Sequence, residues 1–172
     1  MKIKLKEIIE IILIFVLVFF VYRVLLVWLF KNPYPMVVVV SGSMRHDINL
    51  EEKHFRYLEE RFGYNRSFIK SWPIKNGFGE GDVLVVIKYD NYNIGDVVVF
   101  RNKCHNIPIS HRIIAINEDG TFQTKGDNNF GQNISPCYDE RKISKDDIYG
   151  KVVLVIPKIG LIRYAFYKIF GF

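Results

Sequence analysis

Hydrophobic positions are unevenly spread along this chain. From Ile8 to Phe30 nearly every residue is apolar, and only Glu10 and Arg23 interrupt the run. It is about 23 residues long, and roughly 20 suffice to cross a bilayer core as a helix, the form that satisfies every backbone group internally. Trp28, Leu29, Phe30 and Tyr34 stand where a cleavage site would need small residues, so the run is read as a retained anchor and not a removable signal. Arg23 lies off-centre, placed to snorkel or to face a partner helix.

From Asn32 the pattern changes. Pro33 and Pro35 favour an extended exit from the helix. Met36 to Val40 is a β-branched run that feeds a sharp turn at Ser41-Gly42-Ser43. Asn49 to Arg61 is charged, with Leu50, Phe55 and Leu58 at helical intervals, which predicts a short helix. Gly63 to Gly81 is punctuated by glycine and aromatic residues and reads as loop. Short strands then follow one another: Asp82–Tyr89, Asp96–Arg101, Ile109–Asn117, Thr121–Lys125 and Ile148–Ile156, with turn residues between them. Such spacing predicts a mainly β fold, a coiled antiparallel sheet or barrel-like domain and not a parallel α/β one. The tail from Gly160 to Phe172 is aromatic and apolar, with Arg163 and Lys168 interspersed. It fits an amphipathic segment at a membrane interface, or one packed on the β domain.

The expected organisation is therefore a tip and transmembrane anchor over 1–31, a β domain over 32–158 with an inserted segment at 49–80, and an interfacial tail over 159–172. The inserted segment is either a substrate- or membrane-facing flap, with Trp72 and Phe78 touching lipid, or a surface insertion packed on the sheet.

Charge adds orientation. Lys2, Lys4 and Lys6 precede the apolar run and Lys31 follows it, which places the N-terminus in the cytoplasm and the bulk of the chain outside a cell membrane, as a single-pass protein. The net charge of +6 suits anionic headgroups or a lysine-rich solvated surface. No basic stripe interleaved with aromatics points to nucleic acid. The two cysteines, Cys104 and Cys137, could pair in an oxidising compartment or remain free thiols. Neither they nor the histidines show metal-site spacing, and no cofactor is implied.

Peptide hydrolysis by a hydroxyl needs an exposed serine on a tight turn, a base within reach and donors facing the oxyanion. Ser43 suits the first. Of the four histidines, His46, His54, His105 and His111, His54 falls in the charged helix, His105 in a polar loop, and His46 close to Ser43 in sequence. His111 lies in the apolar strand ISHRIIAIN. On residues alone a structural histidine and a plain glycine-serine turn explain these features equally well.

VVVVSGSM, followed in order by GDVVVF, SHRII, TKGDNN and IYGKVVLVIPKIG, resembles the type I signal peptidases, in particular their archaeal and endoplasmic-reticulum branch. The resemblance covers most of the chain between anchor and tail. It implies a β domain tethered by an N-terminal helix and a serine endopeptidase that removes signal peptides from exported preproteins, possessing Ser43 as nucleophile and His111 as base. It also implies Ser41 and the Ser43 N–H as oxyanion donors. For the acid it offers Asp127, in Gly126-Asp127-Asn128, and Asp139, in Asp139-Glu140-Arg141; Asp139 is the preferred partner of His111, with Asp127 supporting. FGQNISPC lengthens the usual spacing there, and His46 stands where the serine box usually continues with proline. An extended substrate would lie along Val38 and Val40, with Val98 and Phe100 forming further pocket wall. The expected partners are preproteins and the bilayer, with accessory subunits left open. The competing readings are a relative restricted to a narrow preprotein class and a non-catalytic membrane-tethered β scaffold, which would be expected to lack the serine or histidine.

Overall fold

The computed structural model describes residues 5–105 and 107–170. Lys2, Lys4 and the last two residues of the tail lie outside the described residues, as does the side chain of Arg163. Helix α1 runs from Leu5 to Phe30. At 1.5 Å per residue it is about 39 Å long, more than the roughly 30 Å of a hydrocarbon core. Its apolar side chains lie open along its length, and the segment Lys6–Phe30 is long and apolar enough to cross a membrane. Lys31 ends it in a left-handed conformation (φ 49°). The exit is then stitched to the sheet. The buried Asn32 amide donates to Tyr34 O and Val86 O, the Lys88 N–H donates to Phe30 O, and the Val86 N–H donates to Pro35 O.

Among the described residues eight strands follow: β1 Met36–Val38, β2 Val83–Ile87, β3 Val97–Phe100, β4 Ile109–Ile116, β5 Phe122–Lys125, β6 Ile134–Ser135, β7 Tyr138–Asp139 and β8 Ile148–Ile156. Six of them form one antiparallel sheet in the order β1-β2-β8-β3-β4-β5. It is an open sheet with β1 and β5 at its edges, which corrects the barrel expectation. Register shifts at Val85/Val86, Val99/Phe100 and Ile113/Ala115 bend the strands locally. Strands β6 and β7 make a separate hairpin that starts within the FGQNISPC stretch and runs on to Asp139, where the sequence showed no strand pattern.

Strand β3 sits centrally and all four of its residues are fully buried. Alternation sends Val97 and Val99 to one face, with Leu84, Val86 and Val152, and Val98 and Phe100 to the other, with Ile113, Phe122 and Ile148.

The inserted segment is more helical than its sequence suggested. A π-helical turn over Glu51–Arg56 continues into α2, Tyr57–Phe62, which ends at left-handed Gly63. Helix α3, Arg66–Ser71, is capped by Asn65, whose side chain accepts the Phe68 N–H. Leu58, Ile69 and Trp72 pack against Ile114 of β4. Trp72 and Phe78 are both buried, so neither is presented to lipid. Helix α4, Leu161–Phe170, closes the described chain, and the Gly160 N–H ties its start to Gly81 O.

Candidate active site

Strand β1 delivers Ser43 onto a turn held from several sides. Val39 exchanges backbone bonds with Asp82 and Gly81, and the Arg45 N–H closes the turn on Gly42 O. The Asn128 N–H donates to Ser43 O at 2.8 Å, and its side-chain amide to Gly42 O at 3.1 Å. Gly126 approaches so closely that a Cβ there would lie 2.7 Å from Ser43 O; glycine is needed for contact, not for conformation. Met44, fully buried, plugs the turn into the core. The inserted helix reaches the same loop: Lys53 Nζ donates to Asn128 Oδ1 at 2.8 Å.

His111 comes from β4, 68 residues away, and its Nε2 lies 2.9 Å from Ser43 Oγ. Its Nδ1 lies 2.5 Å from Glu140 Oε1. A carboxylate accepts only, so the proton sits on Nδ1 and leaves Nε2 as acceptor toward the serine hydroxyl. Glu140 is fully buried, and its carboxylate also takes the Thr124 hydroxyl and the Asn133 N–H.

The carboxylate on His111 is therefore Glu140, not Asp139 or Asp127. Asp139 is half-exposed and forms a two-point pair with Arg141. It precedes Glu140 by one position, and successive side chains of an extended segment point to opposite sides. Asp127 lies on the other side of β4. It accepts from Arg112 Nε and Nη2, with His46 Nε2 at 2.9 Å and His54 Nδ1 at 3.3 Å. Arg112 follows His111 in the strand and so faces the opposite way; it also donates to Pro73 O, Gly95 O and Ile74 O. Burial opposes ionisation of Asp127, but the Arg112 guanidinium and the bonds from His46 and Arg112 hold its carboxyl well below the usual range. Burial drives His54 down to about 4 despite the attraction of Asp127.

Lys125 was not singled out from the sequence. It is buried at the end of β5 and its Nζ donates to Gly126 O and Asn129 O, both at 2.8 Å, fixing the loop that holds Ser43. Burial pulls it down to about 8, with Asp127 and Glu140 opposing. The sequence carried no signal for it: Phe122 and Thr124 share one face of TFQTK and Lys125 falls on the other, with Gln123.

A cleft of about 640 Å³ opens in front of the serine. Val37 to Val40 and Ser41 form one wall, and Ile107 to His111 with Asn133 and Tyr138 form another. Val38 and Val40 are among its lining residues. Val98 and Phe100 are not: both are fully buried in the core, where Phe100 packs 6.3 Å from the His111 ring. Ser41 Oγ stands 3.3 Å from Ser43 Oγ, beside the space where an oxyanion would form. Among the described residues no group of three or more His, Cys, Asp and Glu is placed to hold a metal ion. Cys104 and Cys137, left open by the sequence, form a disulfide.

Serine, imidazole and buried carboxylate in line at a cleft make up the constellation of the serine hydrolases. No protein-family model matches the chain, but curated relatives do. It is 38% identical over 103 residues to the signal peptidase complex catalytic subunit SEC11 of Lachancea thermotolerans, covering 55% of this chain and 61% of the relative. The Colletotrichum graminicola subunit is 30% identical over 141 residues, with 76% and 63% covered, and that of Zygosaccharomyces rouxii 31% identical over 119 residues, with 60% and 71% covered. The chain belongs to the family of signal peptidase catalytic subunits, although it spans only 61% and 63% of the first two of these relatives.

Proposed function

We propose that this chain is a membrane-anchored serine endopeptidase that cleaves N-terminal signal peptides from exported preproteins. The observation that carries the reading is the line from Ser43 Oγ through His111 to Glu140, with contacts of 2.9 and 2.5 Å, beside a cleft that Ser43 and His111 line. The names of the relatives support the substrate class.

The preprotein binds extended along β1, an edge strand with one neighbour in the sheet, which leaves its other side open to an added strand. Small side chains ahead of the scissile bond enter shallow recesses beside Val38 and Val40. Ser43 Oγ attacks the carbonyl carbon while His111 Nε2 takes the hydroxyl proton. Glu140 accepts from Nδ1, fixes the tautomer and stabilises the imidazolium. The oxyanion meets the Ser43 N–H and the Ser41 hydroxyl, each donor lowering the barrier by roughly 3 kcal/mol. His111 then protonates the leaving amine, and water, deprotonated by the same nitrogen, releases the acyl-enzyme.

Helix α1 serves as a single-pass anchor, with the N-terminus cytoplasmic and the catalytic domain outside a cell membrane. Since the substrate is itself tethered in the bilayer, sharing the membrane raises the effective concentration. Tail helix α4 lies at the membrane interface, and accessory subunits are consistent with relatives named as parts of a complex.

The test is cleavage of a preprotein by the purified chain in detergent, beside Ser43→Ala and His111→Ala. Each change is expected to lower kcat by about 10⁶-fold. Undiminished cleavage in Ser43→Ala would overturn the reading.

A further inference from the structure

The cleft has a wall that is covalently closed. Between β3 and β4 the chain crosses a loop whose His105, Ile107 and Pro108 line the cleft; Asn133 and Tyr138, on and beside the β6–β7 hairpin, line it too. Cys104 of the loop is bridged to Cys137 of the hairpin, with Cα atoms 5.1 Å apart, and the Lys103 N–H donates to Cys137 O at 3.1 Å.

This hairpin is also what presents Glu140. The Glu140 N–H donates to Asn133 O, and the Asn133 N–H donates to the Glu140 carboxylate across the open end of the hairpin. Each of its strands has two residues, and a two-stranded hairpin of that size is not stable by itself. Exposed Ile134 and Ser135 add little burial. The bridge to the loop is the strongest tie at its tip.

We propose that the Cys104–Cys137 disulfide is a positioning and specificity device. It sets the width of the cleft and holds the hairpin in the register that aims Glu140 at His111. The inference rests on the peptidase reading and adds a condition to it: the site is fully assembled only when the bridge is oxidised. Cys104 is exposed and Cys137 half-exposed, so a dithiol can reach the sulfurs. Its thiolate attacks one sulfur, forming a mixed disulfide and releasing the other cysteine as a thiolate; its second thiol then attacks the reagent's own sulfur and displaces the cysteine still bound. Two protein thiols form and the reagent becomes the disulfide.

The experiment compares the full chain in detergent in three states: oxidised, reduced with dithiothreitol, and reoxidised, alongside Cys104→Ser/Cys137→Ser. Reduction is expected to lower kcat/KM for a preprotein by about tenfold or more. KM should rise through the loosened wall and kcat should fall through Glu140. Reoxidation restores both, and the double variant keeps the reduced values and ignores the reagent. Backbone hydrogen exchange supplies a readout without substrate: it should quicken over 102–109 and 133–140 and stay unchanged elsewhere. Equal kcat and KM in all forms, or unchanged exchange in both segments, would overturn the proposal. So would a reduced form that loses its near-ultraviolet circular dichroism as a whole, since the bridge would then be a general staple. An oxidised wild type that cuts no preprotein but shows the local exchange change counts against the peptidase reading and in favour of the positioning role.

Discussion

Glu140 and Asp127 are both fully buried, and each faces histidine within the same small domain. Their surroundings separate them. Glu140 takes one histidine, whose far nitrogen meets a hydroxyl at an open cleft. Asp127 is held by a buried arginine and by His46, with the His54 ring 3.3 Å away, and its backbone N–H meets the sulfur of buried Met44. The first arrangement can pass a proton to something that enters from outside; the second neutralises a guanidinium and ties the segment after Ser43 to the sheet through His46. Contact between carboxylate and histidine therefore does not identify a catalytic pair. What the opposite ring nitrogen touches separates the two sites.

The largest way to break this contrast is Glu140→Gln, which keeps the shape but allows the wrong imidazole tautomer. Loss of kcat by about 10⁴-fold is expected, with a thermal melt close to wild type; a kcat within a few-fold would remove Glu140 from the relay. Asp127→Asn should do the reverse. Leaving Arg112 buried without its carboxylate costs about 3–5 kcal/mol, read by denaturant unfolding, while kcat per folded molecule changes far less.

A pH experiment sharpens the same division. His54 titrates near 4 in the fold against an ordinary value of 6.5, so folding favours its neutral form. That contribution is complete above about pH 6.5 and is lost as pH falls toward and through 4. The melting temperature should drop across this window, and the drop should be smaller in His54→Phe. Asp139→Ala is the smallest effect: its pair with Arg141 is on the surface, and stability should change by no more than about 0.5 kcal/mol, with cleavage intact.

Much of this was legible before the fold was. The six strands of the main sheet all fall inside runs marked by alternation and turn residues, and Ser43, Ser41 and His111, named on the resemblance, lie together in the fold. The misses have physical causes. Asp139 and Glu140 are neighbours with opposite facings, and FGQNISPC hides a hairpin whose register decides which one turns inward. Val98 and Phe100 belong to a strand buried on both faces, where wall and core carry the same residue types. Helix α3 was masked by glycine and aromatic punctuation, and the proximity of Cys104 to Cys137 is a property of folded loops that sequence does not encode locally.

The order of the site along the chain has a consequence for biosynthesis. Ser43 is made early, His111 comes 68 residues later, and Glu140 a further 29. A nascent chain that has emerged only to Ile134 holds Ser43 and His111, but neither Glu140 nor strand β8, which lies between β2 and β3. Contacts this distant form late in folding. The three groups of the candidate site therefore come together only after strand β8 has been made, and the proposed peptidase activity arrives late in synthesis.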